Sequence, residues 1–123
     1  RLRHHDGPMP VASARFRLIS GDRLDALAAH LGARLATPVD PADPDSLAHW
    51  GRDWTRSFPV APRAVVFPER VEEVQALVRL ANRERIALVP SGGRTGLSGG
   101  AVAGNGEVVV SFDRMNRIIG FEP

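Results

Sequence analysis

The sequence predicts an α/β (α+β) fold, and three observations carry that prediction. Two short apolar runs, 64–67 (Ala-Val-Val-Phe) and 86–89 (Ile-Ala-Leu-Val), have the length and β-branched content of buried strands. Between them, over 70–84, Val71, Val74, Val78 and Ala81 recur at helical spacing, and Leu77 and Leu80 broaden the stripe. A third apolar run, 107–112, follows the turn Gly104-Asn105-Gly106. Strand–helix–strand at this spacing is a βαβ unit, whose two strands run parallel with a right-handed crossover.

Taken in order, residues 1–20 are irregular. His4-His5-Asp6 resembles a set of metal ligands, but adjacent ligands on a floppy end would bear the ordering entropy at binding, so a mobile basic tail is the default. A first helix is predicted over 22–31. Asp22 is its N-cap, Leu24, Leu27, Ala28 and Leu31 form one apolar face, and Gly32 ends it. His30 suits the negative end of that helix. Residues 37–62 contain Pro38, Pro41, Pro44, Pro59 and Pro62, which predict loops with short helical turns at most. Asp43 and Asp45 then read as solvated loop acids. Asp53-Trp54 reads either as a carboxylate and indole lining a ligand site or as a packed Trp beside a surface Asp, and packing is the default. In the helix over 70–84, Glu72 and Glu73 lie in the first turn and Arg83 near the last, as the helix dipole prefers. Ile118-Ile119 begin a further strand, and Met115 reads as core filler. The organisation is an N-terminal helical and loop extension over 1–61, then a sheet-forming part over 62–123.

Composition excludes several classes. There is no cysteine, hence no disulfide, thiolate ligand or cysteine nucleophile, which fits a cytoplasmic, reducing setting. No run has the length of a membrane span. The chain has no lysine, so no Schiff base forms within it. The sequence pI of about 10.8 suggests a nucleic-acid binder. It is instead what remains when every basic residue is arginine and the net charge is only +2. The arginines are scattered among acids without a stripe or interleaved aromatics, so no nucleic acid is expected.

The chemistry concentrates in Pro90-Ser91-Gly92-Gly93-Arg94-Thr95-Gly96-Leu97-Ser98-Gly99-Gly100, where five of eleven residues are glycine. Glycine lets backbone approach a ligand closely, and successive N–H groups converge into an anion-binding nest. Ser91, Thr95 and Ser98 add hydroxyls and Arg94 a fixed positive charge. From composition alone, a diphosphate cradle and a flexible turn between strands are equally good readings. A P-loop is excluded because it needs a lysine. G-x-G-x-x-G is absent, and so is room for the helix that a dinucleotide fingerprint requires. Gly96-Leu97-Ser98-Gly99-Gly100 matches G-x-S-x-G, the hydrolase nucleophile elbow. That motif needs a helix directly after it and a histidine later in the chain, whereas all four histidines precede Ser98. A serine hydrolase lobe is therefore a distant third reading, behind a nucleotide- or anion-binding module complete at this length.

Ala64-Val65-Val66-Phe67-Pro68, Glu72-Glu73-Val74, Ala81-Asn82, the run from Val89 to Gly100 and Asp113-Arg114-Met115-Asn116-Arg117-Ile118 together resemble the FAD-linked oxidase family. They match the first lobe of its PCMH-type (vanillyl-alcohol-oxidase-type) FAD-binding domain. Gly51-Arg52-Asp53-Trp54-Thr55-Arg56 is similar to the segment that precedes this domain in the D-2-hydroxyglutarate dehydrogenase branch. The resemblance implies an enzyme that oxidises a small D-2-hydroxy acid, of the 2-hydroxyglutarate or lactate type, by hydride transfer to the flavin, with an unknown electron acceptor. It implies FAD held by Ser91, Gly92, Gly93, Arg94, Thr95, Gly96, Leu97 and Ser98, mostly through backbone donors, with Gly99 and Gly100 less firmly placed. Some members tether FAD through a histidine after two glycines. Here Arg94 occupies that position, so non-covalent FAD is expected. The family's substrate residues, and any divalent metal, lie in a later part of the polypeptide, so no catalytic residue is assigned. Members are several times longer, and a chain that opens on Arg and closes just after a strand is expected to be an N-terminal fragment.

Overall fold

A computed structural model describes residues 36–40 and 42–123, together with Ala26 and Ala29, both helical and exposed. The remainder of the predicted helix over 22–31, and His4-His5-Asp6, lie outside the described residues. The element order is β1 (Ala36–Pro38), α1 (Pro44–Gly51), β2 (Ala64–Val66), α2 (Val71–Glu84), β3 (Leu88–Ser91) and β4 (Val108–Ser111).

The four strands form one sheet in the order β1-β2-β4-β3. β1 runs antiparallel to β2, with Thr37 opposite Val65. β4 pairs parallel with both β2 and β3, with Val109 opposite Val65 on one side and Val89 on the other. The βαβ unit thus has parallel strands, but β4 separates them. The side chains explain the insertion: Val108, Val109, Val110 and Ser111 are all buried, as a strand covered on both faces requires. β3 is less buried and contains Pro90, which an edge strand tolerates because its missing N–H need not join a ladder.

The alternation of strand residues divides the core. Ala64, Val66, Val108 and Val110 face Leu77, Leu80 and Ala81 of α2, together with Ile86. Val65 and Val109 face the other way and pack with Val39 and Ala103, with Leu47 and Trp50 of α1 against them. Trp50 meets Phe67 edge-on, centroids 5.0 Å apart. Among the described residues Leu77 is the largest side chain fully withdrawn from water, and burial of that size stabilises by roughly 1.5–3 kcal/mol.

Three expectations change. The proline-rich stretch 37–62 holds both β1 and α1, an eight-residue helix. Asp43 is its N-cap, accepting from the N–H groups of Asp45 at 3.1 Å and Ser46 at 3.3 Å, and Pro44 occupies the first turn, where its missing N–H costs nothing. The strand expected at 86–89 begins only at Leu88. Arg85 caps α2 in the left-handed conformation (φ 57°) and the Ile86 N–H bonds back to the Ala81 carbonyl, so both still belong to the helix end. No strand forms at Ile118-Ile119, which are 90% and 97% exposed without a pairing partner among the described residues.

Candidate functional site

Ser91 ends β3, and the glycine-rich loop leaves the sheet at the C-terminal edge of its parallel strands, where open α/β sheets bind ligands. The Phe112 N–H donates to the Ser91 carbonyl at 3.0 Å and fixes the loop's point of departure. Ser91 is 0% exposed, and its Oγ is buried without a hydrogen-bond partner. A buried hydroxyl without a protein partner is costly unless a ligand or a water meets it. From Gly93 through Ser98, no backbone N–H donates to another group among the described residues. The loop therefore offers a run of uncommitted donors beside a buried hydroxyl.

Gly92 and Gly93 do not use the left-handed backbone that glycine permits. Neither has positive φ. A Cβ on Gly92 would meet nothing within 4 Å, and one on Gly93 only Thr95 Cγ2 at 3.9 Å. Their lack of a side chain leaves open space instead of relieving strain. Arg94, next in the chain, is left-handed at φ 58°. Its guanidinium is folded in: it lies 5.5 Å from the Trp50 ring centroid and 3.5 Å from Asp113 Oδ1. The charge expected to meet a phosphate is engaged with the protein. Thr95, Gly96, Leu97 and Ser98 are exposed.

Sequence reasoning inverted the roles of Asp53 and Trp54. Trp54 is 69% exposed and Asp53 is 3% exposed. Asp53 Oδ1 accepts from the Thr55 N–H at 2.9 Å and from Thr55 Oγ1 at 2.6 Å, while Oδ2 accepts from the Gly99 N–H at 3.0 Å. The Thr55 hydroxyl, ahead of the backbone donors, holds the Asp53 carboxyl below the usual carboxylate range against the opposing effect of burial. The local half of this motif is legible as an Asp two residues before a Thr. Its distant half, Gly99, is not.

The serine-hydrolase reading finds no support in the loop. Ser98 is exposed and is followed by a turn where the elbow requires a helix. No group of three His, Asp or Glu side chains suited to a metal occurs among the described residues.

Residues 62–123 match the family model described as FAD binding domain. The chain belongs to that family. The chain is similar to the D-2-hydroxyglutarate dehydrogenase of Stutzerimonas stutzeri (strain A1501), 60% identical over 91 residues that make up 71% of this chain and 20% of that protein. It is also similar to the D-lactate dehydrogenase of Anaerostipes hadrus, 46% identical over half of this chain and 13% of that protein. The chain thus spans a fifth or less of the length of these relatives. The structure of p-cresol methylhydroxylase with substrate bound superposes with a TM-score of 0.61 at 24% identity, over 80% of this chain and 19% of that one, and so shares the fold. The loop fits the cofactor that gives the domain its name. Open space over Gly92 and Gly93, free N–H donors and the unpartnered Ser91 hydroxyl are what a diphosphate needs.

Proposed function

We propose that this chain is the first lobe of the FAD-binding domain of a flavin-dependent dehydrogenase that oxidises a small D-2-hydroxy acid. The FAD-binding domain occupies 62–123 and is preceded by a helical extension. The observation that carries the reading is the loop's run of free N–H donors closed at one end by the buried, unpartnered Ser91 Oγ. Its relatives are named for D-2-hydroxyglutarate and D-lactate, which supports a substrate of that class. FAD, when bound, supplies the hydride acceptor. Ser91 through Ser98 hold its diphosphate, with Ser91 Oγ and the backbone N–H groups of Gly92, Gly93, Arg94, Thr95, Gly96, Leu97 and Ser98 as donors. Arg94 contributes its backbone N–H, and its guanidinium, resting against Trp50 and Asp113, keeps further N–H donors for the diphosphate. Among the described residues no helix is long and apolar enough to cross a membrane. The cytoplasm is the compartment proposed, because a chain without cysteine makes no demand for an oxidising one.

The experiment uses the full-length protein. Purified enzyme should carry FAD and reduce an artificial dye with D-2-hydroxyglutarate or D-lactate, but not with the L-isomers. Gly93→Val should fill the open space and strip the flavin while leaving the fold largely intact, its unfolding transition matching that of the wild-type apoprotein. A Gly93→Val variant that purifies with stoichiometric flavin sinks the cradle.

The mode of attachment is tested separately. An arginine guanidinium stays protonated at working pH and cannot attack the flavin methyl group. Acid precipitation of the holoenzyme should leave all yellow colour in the supernatant. Colour retained by the washed pellet, and abolished in no variant of Arg94, would show a tether elsewhere in the polypeptide.

A further inference from the structure

We propose that Asp53, supplied by the segment ahead of the matched FAD-binding domain, is the positioning residue that sets the shape of the cofactor loop and so its affinity for FAD. The proposal rests on the FAD reading of that loop.

Three contacts converge on one short stretch. Asp53 Oδ2 accepts from the Gly99 N–H at 3.0 Å. The Trp54 N–H donates to the Gly96 carbonyl at 3.1 Å. The Ala103 N–H donates to the Gly51 carbonyl at 3.0 Å. The backbone on both sides of Leu97-Ser98 is therefore pinned to 51–54. A pre-shaped loop loses less conformational freedom when a ligand orders it, and the difference appears as affinity.

The chemistry at Asp53 calls for a carboxylate. Both oxygens accept, one from the Thr55 N–H and hydroxyl and the other from Gly99. An amide has one oxygen and one NH2, so whichever way it turns, a donor faces a donor. The same charge argues against direct contact with FAD, since a carboxylate against a diphosphate is repulsive. Asp53 acts through the loop backbone and not as a ligand.

The test is FAD titration of the full-length apoprotein, followed by flavin fluorescence quenching, for wild type, Asp53→Asn, Thr55→Val and Thr55→Ser. Loss of charge-assisted hydrogen bonds of this kind predicts FAD binding about tenfold weaker in Asp53→Asn. Thr55→Val keeps the side-chain shape but removes the hydroxyl donor, and should weaken binding in the same direction. Thr55→Ser keeps the hydroxyl and should bind like wild type. A merely structural packing role predicts the reverse order for the two Thr55 variants. Wild-type affinity in both Asp53→Asn and Thr55→Val, or a loss in Thr55→Ser as large as in Thr55→Val, overturns the proposal. Should Asp53→Asn fail to fold, the Thr55 pair decides alone. A wild-type protein that binds no FAD defeats the FAD reading itself, a separate result.

Discussion

At the level of single residues, two kinds of glycine share one loop. Gly92 and Gly93 face open space, and their value is the room they leave. Gly99 is constrained on both counts: its φ is +79°, and a Cβ would lie 2.7 Å from Phe58 Cε2. The left-handed backbone alone costs a side chain about 1–2 kcal/mol, and the ring contact adds to it. Gly99→Ala should therefore lower the stability of the full-length protein by about 1 kcal/mol or more in chemical denaturation, the stiffer unfolded chain offsetting part of the backbone strain. The same substitution in a Phe58→Ala background should recover the steric part and not the backbone part. Equal losses in the two backgrounds would show that Phe58 does not press on this position.

At the level of elements, helix ends decide most of the boundaries. The Glu73 carboxylate accepts from the N–H groups of Glu69 at 2.7 Å and Arg70 at 3.3 Å, so the first turn of α2 is closed by its own third residue. The Glu69 N–H is the main reason that this carboxyl sits below its usual range. At the other end Arg85 takes a conformation that glycine adopts freely. Arg85→Gly is expected to stabilise the protein by about 0.5–1 kcal/mol, the relief of left-handed strain partly offset by a more flexible unfolded chain. A rise in thermal midpoint checks it, and a fall would mean that the Arg85 side chain contributes more than its backbone costs. For α1 the cues were present in the sequence as Asp43-Pro44, a good N-cap followed by a proline at the first helical position. They were outweighed there by the density of prolines around them, because a proline at a helix start and a proline in a loop look alike until the backbone is known.

At the scale of the whole molecule, β1 and β3 have no outer strand neighbour among the described residues, and Trp54, Phe58, Leu97, Ile118, Ile119 and Phe121 are exposed. Unpaired strand edges and apolar surface promote association. The 123-residue chain expressed by itself is expected to associate, to bind a hydrophobic dye and to take up FAD weakly. Size-exclusion chromatography and flavin titration are the checks. A monodisperse monomer with tight FAD binding would mean that this lobe is self-sufficient.

Within the described residues, hydrophobic periodicity and glycine content by themselves determined the βαβ core, the parallel direction of β2 and β3, and the loop at the C-terminal end of β3. These depend on contacts close in sequence, such as the helical stripe from Val71 to Ala81, and on residue types with a narrow range of uses. Tertiary structure alone decided that β4 lies between β2 and β3, because strand order depends on which strand can be buried on both faces. It alone decided that Arg94 turns inward to Trp50 and Asp113 while Gly92 and Gly93 stay unstrained. It also decided the role of Asp53, whose partner Gly99 is 46 residues away. A carboxylate beside a tryptophan has the same local pattern whether it faces water or holds a loop, and only the packing of 51–54 against the glycine run distinguishes the two.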